Sequence, residues 1–155
     1  MIKTGETIPE FSAEATGGKL INGETFQGKH TVLYFYPRDN TPGCIQEGKD
    51  FSKAYDQFRQ LGVQILGISR DSLRTHEKFK EKQQFPFELV ADPDETLCQL
   101  FGVMKVKNMY GKQVRGIERS TFVFNKEGIF VKEWRKVQVS GHVDQVLEVM
   151  QNISQ

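Results

Sequence analysis

Cys44 closes the run Tyr34-Phe35-Tyr36-Pro37-Arg38-Asp39-Asn40-Thr41-Pro42-Gly43-Cys44, in which an apolar strand-like segment passes into a segment of helical periodicity. A thiol in the first turn of a helix meets backbone N–H groups that have no helical acceptor and the positive end of the helix dipole, and both favour the thiolate. The thiolate is the nucleophile, so this position points to covalent or redox sulfur chemistry. The competing expectation for any single cysteine is a small, buried and unreactive core residue. Cys98, the second of two cysteines, fits that description, since Thr96-Leu97-Cys98-Gln99-Leu100-Phe101 reads as a short apolar helix. Other chemistries find little support. His30, His76 and His142 are scattered without the Cys/His spacing of a zinc site and read as surface or capping residues. Gly111 and Gly116 form no nucleotide-binding fingerprint, and no Cys-x-x-Cys dithiol exists, so neither a cofactor nor a dithiol oxidoreductase is expected. Trp134 reads as core or pocket wall.

The elements that must position Cys44 can be read from periodicity. Thr31 to Tyr36 is a continuous apolar and β-branched run, the pattern of a strand covered on both faces, and Pro37 ends it. Gly48, Phe51, Tyr55 and Phe58 follow Cys44 at spacings of four and three, which places Cys44 on the inward stripe of an amphipathic helix and Lys49 well round it. Gly62 stops that helix and Val63 to Ile68 reads as the next strand, giving a parallel crossover. Ser72 to Gln83 reads as a helix, Phe87 to Ala91 as a short strand, and Asp94 to Phe101 as a short helix that Asp92 or Asp94 could cap. Val103 to Val106 is a weaker extended piece. Ser120 to Phe124 and Ile129 to Trp134 form a hairpin, and Val143, Val146, Leu147 and Met150 face a closing helix inward. Phe11 to Phe26 is the least regular stretch, with turns at Gly17-Gly18 and Asn22-Gly23 that suit a small added hairpin. An early strand-helix-strand unit and a late strand-strand-helix unit together predict an α/β, thioredoxin-like sandwich with a central mixed sheet flanked by helices.

Composition bounds the rest. The 155 residues suit one domain, residues 1–155, with a sizeable core and no need of disulfides. Net charge is +1, and the basic cluster Lys105, Lys107, Lys112, Arg115 and Arg119 reads as a solvated loop rather than a polyanion site. No nucleic-acid partner is expected. Neither a signal peptide nor a membrane-length apolar run is visible, so a cytoplasmic protein with no membrane partner is expected, and two distant cysteines suit a reducing compartment.

Pro37, Thr41 and Cys44 spell Pro-x-x-x-Thr-x-x-Cys, which is similar to the active-site motif of the peroxiredoxins, thiol peroxidases that reduce hydroperoxides. The surrounding Phe-Tyr-Pro-Arg-Asp-Asn-Thr-Pro-Gly-Cys most resembles their PrxQ, or bacterioferritin comigratory protein, branch. The resemblance runs from Gly5-Glu6-Thr7-Ile8-Pro9-Glu10-Phe11 through Gly67-Ile68-Ser69-Arg70-Asp71-Ser72 to Gly116-Ile117-Glu118-Arg119-Ser120-Thr121-Phe122. It implies that Cys44 attacks a hydroperoxide and becomes a sulfenic acid. Thr41 would set its hydroxyl beside the sulfur and a peroxide oxygen, the N–H groups around Gly43 and Cys44 would meet developing charge, and Pro37 would wall the pocket from bulk water. Without the resemblance, Thr41-Pro42-Gly43 is a turn before a helix.

The same resemblance assigns Arg119 to the sulfur and the peroxide. It also matches Glu47 to a position that orients that arginine, where an ordinary surface glutamate is the alternative. PrxQ relatives carry a second, resolving cysteine five residues after the first or in the following helix. This chain has Lys49 at the former place and Lys80 near the latter. The leading expectation is therefore a one-cysteine cycle, resolved by an external thiol such as thioredoxin or glutaredoxin/glutathione, and the PrxQ resemblance implies a monomer. A cycle resolved by Cys98 comes second, and would need Cα atoms within roughly 7 Å. A non-catalytic redox sensor that uses oxidised Cys44 comes third.

Overall fold

The computed structural model describes residues 1–154. Among the described residues, nine strands and four α-helices occur in the order β1 (Ser12–Ala15), β2 (Lys19–Asn22), β3 (His30–Phe35), α1 (Pro42–Gln60), β4 (Val63–Ser69), α2 (Leu73–Gln83), β5 (Glu88–Ala91), α3 (Thr96–Leu100), β6 (Met104–Met109), β7 (Lys112–Ile117), β8 (Ser120–Phe124), β9 (Phe130–Trp134) and α4 (His142–Ile153). Seven strands make one sheet in the order β2-β1-β5-β4-β3-β8-β9. β3, β4 and β5 run parallel, and the outer strands join antiparallel, so the sheet is mixed as expected. No helix among the described residues is long and apolar enough to cross a membrane.

β3 is central because both its faces are apolar. Val32, Tyr34 and Tyr36 point into a core shared with Cys44, Phe51 and Phe58 of α1, Phe79 of α2 and Val146 and Met150 of α4. Leu33 and Phe35 point to the other face, into a core with Leu97 and Cys98 of α3, Phe101, Phe122 and Phe124. Alternation along one strand thus puts the two cysteines on opposite sides of the sheet. Full burial of a ring such as Phe51 or Phe58 contributes about 1.5–3 kcal/mol, so the inward stripe of α1 is what fixes that helix to the sheet. Gly48 takes part by absence: a Cβ there would come within 2.3 Å of the Phe85 ring, which packs on α1 one turn beyond Cys44.

Two expectations need correction. The basic segment read as a solvated loop is an antiparallel ribbon, β6 with β7, paired from Met104↔Ile117 to Met109↔Lys112. The Ile117 end of the ribbon is anchored in the core, and Arg115 is tied to Glu95. The histidines read as surface or capping residues include two that are buried, His76 (0% exposed) and His142 (3%). The suggested N-terminal hairpin is β1 with β2, and it extends the main sheet through β5.

Candidate active site

The loop between β3 and α1 turns the chain so that the helix begins at the buried thiol. Tyr36 still donates its N–H to the Ile68 carbonyl (3.0 Å), after which Pro37 and Arg38 are exposed. Pro37 therefore ends the strand at the rim rather than sealing the site, and burial of the sulfur comes from the core around it. Asn40 adopts a left-handed conformation (φ 65°), which asparagine tolerates better than most residues. Thr41 is the N-cap residue of α1 in extended conformation, and Pro42 opens the helix, where its missing N–H costs nothing. The first helical bond runs from Ile45 N–H to the Thr41 carbonyl (2.9 Å), so the Gly43 and Cys44 N–H groups ahead of it have no helical acceptor. Cys44 is 2% exposed. The Thr41 hydroxyl does not cap the helix but donates to the Arg38 carbonyl (2.9 Å), which leaves its lone pairs free to accept.

Arg119 reaches this thiol from far along the chain. β8 pairs with β3 in the register Phe35↔Ser120, so the residue just before Ser120 lies beside the loop that leaves β3. Arg119 Nη2 lies 3.4 Å from Cys44 Sγ, and Nη1 donates to Glu47 Oε1 at 2.6 Å. Its backbone carbonyl accepts the Val137 N–H (3.0 Å), which fixes the base of the side chain. Burial works against the guanidinium charge, but Glu47 and Cys44 outweigh it and hold the group above its ordinary pKa. Gly43 makes room for this contact, because a Cβ there would lie 3.0 Å from Arg119 Nη2.

Glu47 is no surface glutamate: its side chain is 0% exposed. Burial pushes its carboxyl up to about 7 against the pull of Arg119, and its second oxygen has no hydrogen-bond partner among the described residues. The structure thus brings Cys44, Gly43, Glu47 and Arg119 together, with Thr41 at the helix cap.

Behind Arg119 stands a residue that sequence reading placed elsewhere. His142 Nε2 bonds with the Thr121 hydroxyl (2.7 Å), and the ring meets Trp134 and Phe51 edge to face. Burial first, then the neighbouring Arg119, lowers its pKa from 6.5 to about 4, so it is neutral at pH 7. A histidine that titrates lower in the folded state stabilises fully above its unfolded pKa and progressively less as pH falls. We expect His142 to reduce stability on acidification from about pH 6.5 to about pH 4 by on the order of 2 kcal/mol. Urea unfolding of wild type and His142→Gln at both ends of that window checks this. The glutamine variant should lose less stability on acidification, and equal losses would contradict it. The comparison cancels Glu47, whose raised pKa acts in the opposite direction between 4.5 and about 7.

The candidate resolving positions are occupied as follows. Lys49 is exposed on α1. Lys80 on α2 is paired with Glu88 of β5, which also binds Lys19 (3.1 Å) and the Thr16 hydroxyl (2.7 Å). Cys98 is fully buried on the far face of the sheet, and its N–H donates to Asp92 Oδ2 (2.8 Å). Burial, then Asp92, pushes its thiol far above the usual range, so it is held protonated. Asp92 also accepts the Leu97 N–H (3.0 Å) and so caps α3, as its sequence position suggested.

Residues 4–132 match the model of the AhpC/TSA family. The chain is 52% identical over 135 residues to peroxiredoxin Bcp of Xanthomonas campestris, covering 87% of this chain and 84% of that protein. With peroxiredoxin Bcp of Bacillus subtilis it shares 42% identity over 99% of this chain and 98% of the other. Among solved structures, a cysteine-to-serine mutant of PrxQ from Xylella fastidiosa superposes with a TM-score of 0.94 at 38% identity, covering 100% of this chain and 99% of that one. The bacterioferritin comigratory protein of Xanthomonas campestris, studied for its alkyl peroxide reduction activity, gives a TM-score of 0.89 at 48% identity over 94% and 92% of the two chains. By sequence and by fold, this chain belongs to the AhpC/TSA family as a peroxiredoxin of the Bcp/PrxQ kind, a thiol peroxidase.

Proposed function

We propose that the chain reduces hydrogen peroxide and small organic hydroperoxides through a one-cysteine cycle at Cys44, closed by an external thiol. The observation that carries this is the Arg119 fork, with one nitrogen on Cys44 Sγ and the other on buried Glu47. A guanidinium so held offers fixed donors and a permanent charge to a thiolate and to the oxygen leaving it. Cys44 S⁻ attacks the terminal oxygen of R–O–O–H. The S–O bond forms as the O–O bond breaks, and the departing alkoxide takes up a proton to become an alcohol, or water when R is hydrogen. Sulfur is oxidised by two electrons to the sulfenic acid, and the peroxide is reduced by the same two. Thr41, its own proton engaged by the Arg38 carbonyl, accepts the peroxide O–H and so aims the terminal oxygen at sulfur. Arg119 and the Gly43 and Cys44 N–H groups donate to the charge that develops, while Pro37 shapes the rim.

Two external thiols then return Cys44 to the thiol, releasing water and a disulfide. A protein dithiol of the thioredoxin type, or glutaredoxin with glutathione, supplies them. The burial of Cys98 in the opposite core favours this cycle over internal resolution, because a Cys44–Cys98 bond would require breaching the sheet. The alkyl peroxide reduction named for the Xanthomonas relative supports the organic substrates. The protein acts as a single-domain monomer in the cytoplasm. The test is steady-state consumption of hydrogen peroxide and tert-butyl hydroperoxide with dithiothreitol as the thiol. Repeated turnover is expected, with Cys98→Ser retaining at least about half the wild-type rate, since a residue outside the reaction carries no transition-state contact. A single turnover per chain would point to a sensor.

A further inference from the structure

The loop that presents the thiol is held from behind by a buried polar network that the reaction above does not use. Asp39 is 4% exposed although it lies between exposed Arg38 and Asn40. Its Oδ1 accepts the Tyr36 hydroxyl (2.6 Å), and its Oδ2 lies 2.6 Å from Nδ1 of the fully buried His76 on α2. The other ring nitrogen of His76 lies 3.0 Å from the Val90 carbonyl of β5. The Asp39 N–H donates to Asp71 Oδ2 (2.9 Å), an oxygen that also accepts the Ser69 hydroxyl. One residue of the active-site loop is therefore bonded to α2, to the end of β3 and to the β4–α2 connection, and His76 extends the chain of bonds to β5.

A carbonyl oxygen only accepts, so His76 Nε2 carries a hydrogen. Nδ1 and Asp39 Oδ2 then share one further proton, without which two lone pairs would face each other at 2.6 Å out of reach of water. Asp39, Asp71 and His76 cluster closely enough to suggest a metal site. Each of the three side chains is already engaged by a hydrogen bond within the protein, so the cluster acts as a strut. What the strut holds is a turn: Asn40, the next residue, is left-handed, so the chain changes direction immediately after the bonded Asp39. Arg38, the residue before, offers the carbonyl that orients the Thr41 hydroxyl.

We propose that Asp39 and His76 are positioning residues for the peroxide, fixing the loop 37–41 so that the Arg38 carbonyl turns the free lone pairs of Thr41 toward the oxygen to be attacked. This inference rests on the peroxidase reading and assigns to it a support that acts through Arg38 and Thr41 rather than by touching the substrate. The consequence is selective. Alkylation of Cys44 by iodoacetamide needs only the thiolate beside Arg119, whereas reaction with a peroxide also needs the aimed Thr41.

The test measures both rates on reduced protein, by single-turnover reaction with hydrogen peroxide and by iodoacetamide modification. The variants are Asp39→Ala, Asp39→Asn and the double variant Asp39→Ala/His76→Leu. The double variant removes both partners and fills the ring's space, so that a fold weakened by an orphaned imidazole in the single variant does not decide the result. In Asp39→Asn the amide N–H supplies the hydrogen that Nδ1 needs, and the bond survives without charge. Asp39→Ala and the double variant should lose about 100-fold in peroxide rate with alkylation within about threefold of wild type, and Asp39→Asn should stay within about threefold on both. Unchanged peroxide rates in the alanine variants would overturn the proposal, as would alkylation falling as far as peroxide reduction, or Asp39→Asn falling with Asp39→Ala. Failure of wild type to turn over peroxide is a separate result, which counts against the peroxidase reading itself.

Discussion

Cys44→Ser should leave a folded protein whose peroxide consumption falls by roughly 10⁴-fold or more, to the uncatalysed rate. A serine hydroxyl stays protonated beside Arg119 and cannot take the terminal peroxide oxygen into a stable sulfenic acid, so neither the attack nor the intermediate survives. The substitution exchanges sulfur for a smaller oxygen at a site 2% exposed, and the fold should tolerate it. Stopped-flow competition for hydrogen peroxide checks the rate, and circular dichroism checks the fold. Activity above about a tenth of wild type would contradict the assignment of the nucleophile.

Arg119→Ala should cost about 10²–10³-fold in the rate of Cys44 oxidation, the loss typical of removing a fixed donor from developing charge. Its effect on stability is more subtle. Removing one partner of a buried pair usually leaves a costly orphan charge. Here the orphan would be Glu47, whose carboxyl burial already lifts to about 7 with the arginine in place. Without Arg119 the carboxyl rises further and is protonated at neutral pH, which limits the penalty. Arg119→Lys should recover part of the rate, since it restores charge but not the fork that spans Cys44 Sγ and Glu47 Oε1. An alanine variant within about threefold of wild type would remove Arg119 from the mechanism.

The locally encoded parts of this site were legible in the sequence. Pro37 ending β3 and Cys44 on the stripe of Phe51 and Phe58 follow from rules that act over a few residues, while Pro42, read as part of a turn before the helix, is instead its first residue. Arg119 is 75 residues from Cys44, and only the resemblance to peroxiredoxins singled it out from a cluster of basic residues. What brings it to the thiol is the β3–β8 register, which no local pattern specifies. Glu47 could be read as a surface residue because its spacing from Cys44 suits either role, and its burial depends on Arg119 arriving.

Of the ribbon, β6 was read only in part, as the extended piece Val103 to Val106, and β7 was missed because Lys112-Gln113-Val114-Arg115 is exposed and shows no regular alternation of apolar and polar residues. The usable signal was Tyr110-Gly111, a two-residue turn with both φ angles positive (53° and 77°). His76 also left a trace, standing three residues before the buried Phe79 on α2, where a polar side chain on an inward stripe needs a buried partner. That the partner is Asp39 could not be read from either residue alone.

The central claim is a one-cysteine cycle, and intact mass tests it most directly. One equivalent of hydrogen peroxide is added to reduced wild type and Cys98→Ser under non-reducing conditions, with dimedone present to trap sulfenic acid. The account predicts one dimedone adduct on Cys44 in both proteins. A wild-type product two hydrogens lighter and without adduct, replaced by the adduct in Cys98→Ser, would contradict it by showing that Cys98 resolves the sulfenic acid across the sheet.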